Sequence, residues 1–230
     1  LVGTIVNAAA IVAGSLVGCL LRKGISTATS DTIMQGIGLA VFLVGAQMAL
    51  ETQDLLIVII SLVIGGMIGE WLGIEKKLEN MGQYIESKFK RTESNIARGF
   101  VTASLVYCVG AMAILGSLED GLTGNPSTLL AKSILDGVSS VFFASTMGIG
   151  VAFSAVPVFL YQGSITLLAE LVKGFFSTPV IAELKATGGL LIVGISINVL
   201  GIKKINVGNL LPAVFVAMAL AWLVSKYKIM

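Results

Sequence analysis

The sequence predicts an all-α polytopic integral membrane protein, a single transmembrane domain over residues 1–230 with seven to eight spans. Three observations carry that reading. Of the 230 residues, 56% are hydrophobic and only 12% are charged, against about 45–50% and roughly 25% in a soluble domain. Mean hydropathy is +0.96. Apolar runs long enough to cross a ~30 Å hydrocarbon core recur from end to end. This balance excludes a nucleic-acid-binding module, a secreted disulfide scaffold and a disordered chain. The net charge of +2 implies no polyanionic partner. Histidine is absent, which removes the commonest metal ligand and the neutral-pH proton shuttle. Cys19 and Cys108 lie inside apolar runs, with no CxxC, and read as small apolar residues.

The first span runs from about Gly3 to Leu21 and stops at Arg22-Lys23. It has no basic start and no cleavage site, so it reads as a retained helix. A polar stretch, Ser26 to Asp31, leads to the second span, about Thr32 to Leu50. Glu51-Thr52-Gln53-Asp54 is an acidic turn, and the third span runs from about Leu55 to Ile74. Residues 75–98, Glu75 to Arg98, form the longest polar stretch. Within it Leu78, Met81, Ile85 and Phe89 recur at helical spacing beside Tyr84, with charges on the other face. That pattern fits an amphipathic helix on the membrane surface, the alternative being a solvated linker. The fourth span is about Gly99 to Leu118, closed by Glu119-Asp120-Gly121, and Gly121 to Ser127 reads as a turn. Leu129 to Phe176 is almost unbroken and as one helix would be roughly 70 Å long, so it must break. Ser154-Ala155-Val156-Pro157 marks the place, because the residue before a proline avoids the helical region. This gives a fifth span, about Ser133 to Phe153, and a sixth, about Pro157 to Phe175. The seventh, about Ile181 to Leu200, and the eighth, about Val207 to Val224, are joined by Gly201 to Asn206.

Basic residues favour the cytoplasmic side. Arg22, Lys23, Lys76, Lys77, Lys88, Lys90, Arg91 and Arg98 share one side, and Glu51, Asp54, Glu119 and Asp120 the other. The expected location is therefore a bacterial plasma (inner) membrane, N-terminus outside, with 75–98 cytoplasmic. In the second half, eight crossings put Lys203 and Lys204 inside but leave Lys226 and Lys228 outside; seven reverse this. Asp31 to Trp71 and Pro179 to Leu223 share a layout of helix, short polar turn and helix ending in tryptophan. Gly36, Gly38 and Gly45 match Gly188, Gly189 and Gly194 in this layout. Eight crossings would make such copies inverted and seven parallel; both occur in transporters, whose sites lie at the repeat interface.

Gly14 and Gly18, and Gly65, Gly69 and Gly73, place glycine on one helix face each. Such faces let backbones approach closely, and they lead to the expectation of tight packing and a homo-oligomer. Ionisable groups at depth are costly and mark candidate sites. Glu70 lies near a helix end. Lys132 and Asp136 are four apart on one helical face, either a helix start at the surface or a pathway element at depth. Glu170 and Lys173 read as interfacial. Asn7, Gln47, Gln162, Asn198 and Asn209 are uncharged candidates for interhelical bonds or solute contact. The fourth and fifth spans are the densest in small and hydroxyl residues. There Ser117, Ser139, Ser140, Ser145 and Thr146 can line a polar conduit, with Glu119 and Asp120 attracting cations at its mouth. Alternatively, the hydroxyls bond their own helix carbonyls.

No P-loop, GxSxG or metal-ligand cluster is present, and an intramembrane aspartyl protease would need two deep aspartates where only Asp136 qualifies. The expectation is a non-enzyme without metal or cofactor. Tyr107-Cys-Val-Gly-Ala-Met-Ala-Ile-Leu-Gly-Ser-Leu-Glu-Asp-Gly121, Ala131-Lys-Ser-Ile-Leu-Asp-Gly137 and Tyr161-Gln-Gly163 together resemble the bacterial YqgA/YdfK-like membrane family, domain of unknown function 554. Gly3-Thr-Ile-Val-Asn7 and Gly208-Asn-Leu-Leu-Pro212 are similar too. The resemblance implies an inner-membrane protein and supplies no catalytic residues to carry over. The leading expectation is a channel or secondary transporter for a small solute or ion, cations slightly favoured. The alternative is a non-transporting scaffold or regulatory subunit. The expected partners are the lipid bilayer, the solute and further copies of the chain, with no nucleic acid.

Overall fold

The computed structural model describes residues 1–22, 27–88, 96–108, 111–172 and 176–227. Among them every regular element is a helix: α1 Val2–Arg22, α2 Thr27–Ala49, α3 Leu55–Leu72, α4 Ile74–Lys88, α5 Ile96–Cys108, α6 Ala111–Thr123, α7 Ser127–Met147, α8 Gly150–Phe153, α9 Ala155–Leu167, α10 Ala169–Val172, α11 Thr178–Val199, α12 Val207–Leu210 and α13 Pro212–Tyr227. Among the described residues, seven segments are long and apolar enough to cross a membrane: α1, α2 from Asp31, α3, α7, α8–α9, α11 and α12–α13. The pair α5–α6 makes an eighth, bent by 59°.

Hydrocarbon offers helices no hydrophobic reason to associate, so close backbone approach through small residues has to hold them together. A Cβ on Gly14 would sit 2.1 Å from the Gly137 carbonyl oxygen, and one on Gly18 2.3 Å from that of Val141. With Gly3 against Leu129, these contacts run in step along both chains, so α1 and α7 are parallel. Gly45 and Gly189 face each other where α2 crosses α11, while Gly38 meets Leu200; that pair is antiparallel. Gly65 against Ala213 and Gly69 against Asn209 make α3 antiparallel to α12–α13. The two halves of the repeat seen in the sequence therefore pack on each other helix by helix in opposite directions, the inverted arrangement.

These registers decide the number of crossings. Because α7 runs parallel to α1, the chain must return to the N-terminal end of the bundle between α3 and α7. Only α5–α6 can carry it. At its start Ile96 lies against Gly150 and Arg98 donates to the Asn198 carbonyl, at the end where α4 sits. At its finish Asp120 accepts from the Gly3 amide. The span expected as one straight helix, Gly99 to Leu118, is thus two helices; Val109 and Gly110, between them, lie outside the described residues. Eight traverses result, with the ends of α1 and α13 nearest the termini at one end of the bundle.

The break between spans in the long apolar stretch is not at Ser154 to Pro157, where Ser154 alone interrupts the helix between α8 and α9 within one span. Gly148 adopts φ 80° and ψ −163°, a conformation that favours glycine, and α8–α9 starts two residues later. Pro157 sits in the first turn of α9, where its missing N–H has no helical partner to lose. The fifth span consequently begins at Ser127 rather than Ser133. Gly73 also differs from expectation: it has φ 61° and caps α3, its amide bonding back to the Glu70 and Gly69 carbonyls, so it is not part of the Gly65–Gly69 packing face. The polar stretch is helical as α4 to Lys88. Leu78 packs on the core while Met81 and Tyr84 are exposed; Phe89, Lys90 and Arg91 lie outside the described residues, as do Lys23, Ser26, Lys173 and Lys228. Residues 96–98 of the stretch belong to α5.

Candidate functional site

Asp136 is the tenth of the 21 residues of α7, which puts it about 13 Å from the helix start and near the middle of the span. Lys132 lies one turn earlier on the same face. Its Nζ is 2.6 Å from Asp136 Oδ2, and the two side chains are 8% and 9% exposed. The pair is deep and enclosed, which leaves the helix-start alternative without support. Gly14 and Gly137 bring α1 against α7, and that contact delivers Asn7. Asn7 Nδ2 donates to Asp136 Oδ2 at 3.0 Å and to Gln162 Oε1 of α9 at 3.2 Å.

The fourth contributor is α5. Tyr107 Oη lies 2.9 Å from Ser140 Oγ, and Ser139 Oγ donates to it at 3.4 Å and to the Asp136 carbonyl at 3.1 Å. Lys132 Nζ is 6.0 Å from the Tyr107 ring centre, within reach of a cation–π attraction. Because α5 ends at Cys108, the break of the bent span lies beside this cluster. Among the described residues, three buried polar atoms around it lack a hydrogen-bond partner: Thr4 Oγ1, Asn7 Oδ1 and Gln162 Nε2.

The site is flanked by a cleft of about 710 Å³ between α2 and α7, into which Lys132, Asp136 and Ser139 face. A second cavity, about 520 Å³, lies across α5–α6 and is lined by Ser104, Cys108, Tyr161 and Leu184 among others.

The structure brings together Asn7, Lys132, Asp136, Ser139, Ser140 and Gln162, and separates the other candidates. Ser117 Oγ donates to the Ala113 carbonyl and Ser145 Oγ to that of Phe142. Thr146 Oγ1 donates to the Phe143 carbonyl and meets Met34 Sδ. These three hydroxyls serve their own helices. Glu119 accepts from Asn125 Nδ2 and Thr128 Oγ1, tying the α6–α7 loop, and Asp120 accepts from the start of α1. Both acids lie in the last turns of α6, not in a turn beyond it. Gln47 is exposed on α2.

Glu70 and Asn209 belong to a clamp at the α4 end. Asn209 Nδ2 donates to Glu70 Oε2, Asn209 Oδ1 accepts from the Glu75 amide, and Glu75 Oε2 accepts from the Gly208 amide. Burial pushes the Glu75 carboxyl above its ordinary value, with the Gly208 N–H and Lys204 pulling it down and Glu79 pushing it further up. Asn198 closes the α11–α12 turn by bonding both the amide and the carbonyl of Ile205.

Sequence reasoning missed Tyr107 and Glu183 as structural partners. Glu183, 1% exposed, accepts from Thr52 Oγ1 and from the Gln53 and Asp54 amides. Its signal was a carboxylate in a largely apolar span, two residues before Lys185. Its partner turn is itself acidic, so residue charges alone do not pair the two. Tyr107 stands next to Cys108 in a run of small residues, where only the fold shows that its hydroxyl reaches α7.

No solved structure matches the chain. It is 37% identical over 218 residues to the uncharacterized membrane protein YdfK of Bacillus subtilis, covering 93% of each chain. It is 29% identical over 230 residues to the uncharacterized protein YqgA of Escherichia coli, covering 96% of this chain and 97% of that one. The model of the protein family of unknown function DUF554 matches residues 2–222. With the fold, the relatives and the family model in agreement from end to end, this is a helical membrane protein that belongs to the DUF554 family.

Proposed function

We propose that the chain is a membrane transport protein that moves a small solute or ion past the break between α5 and α6. One observation carries the reading: the Lys132–Asp136 pair lies in the middle of a span, against that break. Withdrawing two charges from water is expensive, and a buried pair is often no more stabilising than apolar residues of its volume, so packing alone gives no reason to keep it. The partnerless atoms of Thr4, Asn7 and Gln162 support the same reading, since a buried polar group without a partner calls for a water, an ion or a ligand. Irregular backbone at depth is tolerated where it is enclosed by protein or lines a cavity, and broken spans recur at transport sites.

Glu119 and Asp120, the groups that would attract cations at an open mouth, are engaged by loop and helix-start donors, so they lend no preference for cations. The basic residues Lys76, Lys77, Arg98, Lys203 and Lys204 gather at the α4 end, which supports a cytoplasmic location for that end in a bacterial plasma membrane. The glycine contacts at Gly14, Gly18, Gly65 and Gly69 are made within the chain, so a homo-oligomer draws no support from them. No catalytic role is proposed for any residue.

The test is reconstitution into liposomes with flux assays for alkali cations, protons and radiolabelled solutes. Wild type is expected to conduct or exchange, and Asp136→Asn to change the rate or its pH dependence at an unchanged yield of folded protein. Absence of any flux in wild type would favour the scaffold or regulatory reading, which the self-bonded hydroxyls of Ser117, Ser145 and Thr146 otherwise support.

A further inference from the structure

The cleft between α2 and α7 has walls of one character. Ile37, Val41 and Val44 on α2 face Leu135, Val138 and Phe142 on α7. Val44, Leu135, Val138 and Phe142 are 51%, 59%, 53% and 50% exposed, so the cleft opens sideways along its length, where acyl chains lie, and reaches an aqueous end at Glu51 and Lys185. Among its lining residues charge enters at two places. One is Lys132–Asp136 at depth; the other is Glu51 with Lys185, 2.8 Å apart, at the N-terminal end. Each is neutral as a pair. Val44, Met48, Met112 and Leu135 are among the apolar residues that line the same cleft.

A bare ion moving from one pair to the other would shed its water against hydrocarbon, with nothing in the walls to replace it. A molecule with an apolar body meets no such barrier, because its body exchanges lipid contacts for equivalent ones. The volume, about 710 Å³, is that of a site for a small organic ligand. Two neutral pairs of opposite charges suit a head that carries both signs, one facing the lysine and one the carboxylate.

We propose, resting on the transport reading above, that the solute is a zwitterionic amphiphile that enters laterally between α2 and α7. Its head passes between the Glu51–Lys185 and Lys132–Asp136 pairs while its body stays in the apolar cleft.

The experiment uses the full chain in nanodiscs and three tritiated twelve-carbon probes that differ only in head: phosphocholine, sulfate and trimethylammonium. Saturable binding of the phosphocholine probe is expected, at least tenfold tighter than either singly charged one. Ala40, exposed on α2 and lining the cleft, provides the blocking variant: Ala40→Trp should weaken binding at least tenfold. Ala9→Trp, in a lipid-facing groove between α1 and α9, should leave it unchanged. Non-saturable uptake that is equal in wild type and Ala40→Trp would mean bulk lipid only and overturn the proposal. So would a wild-type dimer that Ala40→Trp converts to monomer without any probe binding, because the cleft would then hold a second copy of the chain. Alkali-cation flux that Asp136→Asn alters and Ala40→Trp does not would overturn the amphiphile while sustaining transport. Saturable probe binding without movement across liposomes would sustain the site and overturn transport.

Discussion

Lys132 and Asp136 sit where neither charge can reach water unaided, and their environments differ in a way that mutation will expose. Lys132→Met leaves a short carboxylate buried with the Asn7 amide as its one remaining side-chain donor among the described residues. The expected loss is about 3–5 kcal/mol, the usual result of breaking a buried pair from one side. Asp136→Asn keeps an oxygen that accepts from Lys132 and Asn7, so its loss is smaller, about 1–2 kcal/mol. Replacing both, by Lys132→Met with Asp136→Leu, should recover most of the first loss. Thermal unfolding in one detergent ranks the three; a loss in the double variant as large as the two single losses together would show that the pair is not coupled. Glu75 gives a second residue-scale prediction, at the α4 end. Burial raises its carboxyl pKa in the folded state, so the folded chain holds that proton more tightly than the unfolded chain. Its contribution is therefore most favourable at low pH and is lost as pH rises from the ordinary carboxylate range through the raised value. Glu75→Gln keeps an acceptor for the Gly208 amide and removes the titration. Melting temperature against pH should be flatter over that window in the variant, and the variant should be the more stable at its upper end.

At the scale of helices, close approach through glycine is the main device, and two glycines separate its uses. A Cβ at Gly69 would lie 1.8 Å from the Asn209 carbonyl oxygen, whereas one at Gly36 meets nothing within 4 Å. Gly69→Ala should lower stability by about 1–3 kcal/mol or more by forcing α3 off α12. Gly36→Ala, in the interior of α2, should raise it by about 0.5–1 kcal/mol. Melting temperatures of the two variants check both signs. This contrast was only half legible in the sequence: glycine spacing gave the Gly65–Gly69 face correctly and wrongly added Gly73, because spacing carries no information on φ. The long stretch after Leu129 shows the same limit. A proline and a glycine both interrupt helices, but Pro157 falls in a first turn, where it is harmless, and Gly148 takes the left-handed backbone that ends α7. That error of a few residues had a large effect on the site, since starting α7 at Ser127 moves Asp136 from near a helix end to mid-span. The break after α5 left no proline to find; a run of small residues reads as a continuous helix until its packing against α7 and α9 is known.

For the whole molecule, the parallel pairing of α1 with α7 makes the count of traverses even. With Cys19 and Cys108 replaced, single cysteines at Asn125 and Ser225 should react with an impermeant maleimide from one side of the membrane. Cysteines at Lys77 and Lys203 should react from the other, cytoplasmic, side in intact cells. A seven-crossing chain in which α8–α9 did not cross would split Asn125 from Ser225, and one in which α5–α6 did not cross would put both with Lys77 and opposite Lys203. The sequence alone could not choose, because lysines fall at both ends whichever number is taken; the register of α1 on α7 makes the choice from geometry. The candidate site was legible in its residue types, with Asn7, Lys132, Asp136 and Gln162 all recognisable as polar groups in apolar runs. Their convergence was not, since it depends on contacts across 129 and 155 residues of chain.

Those separations also set a schedule for biogenesis. A ribosome adding about 5–20 residues per second needs roughly 6–26 s to synthesise α7 after α1 has left it. Throughout that interval Asn7 resides in lipid without its carboxylate, and the glycine face of α1 has nothing to dock against. Docking of α1 therefore waits on the fifth traverse, and a nascent chain stalled before Ser127 presents an orphaned polar helix to the insertion machinery and to membrane proteases.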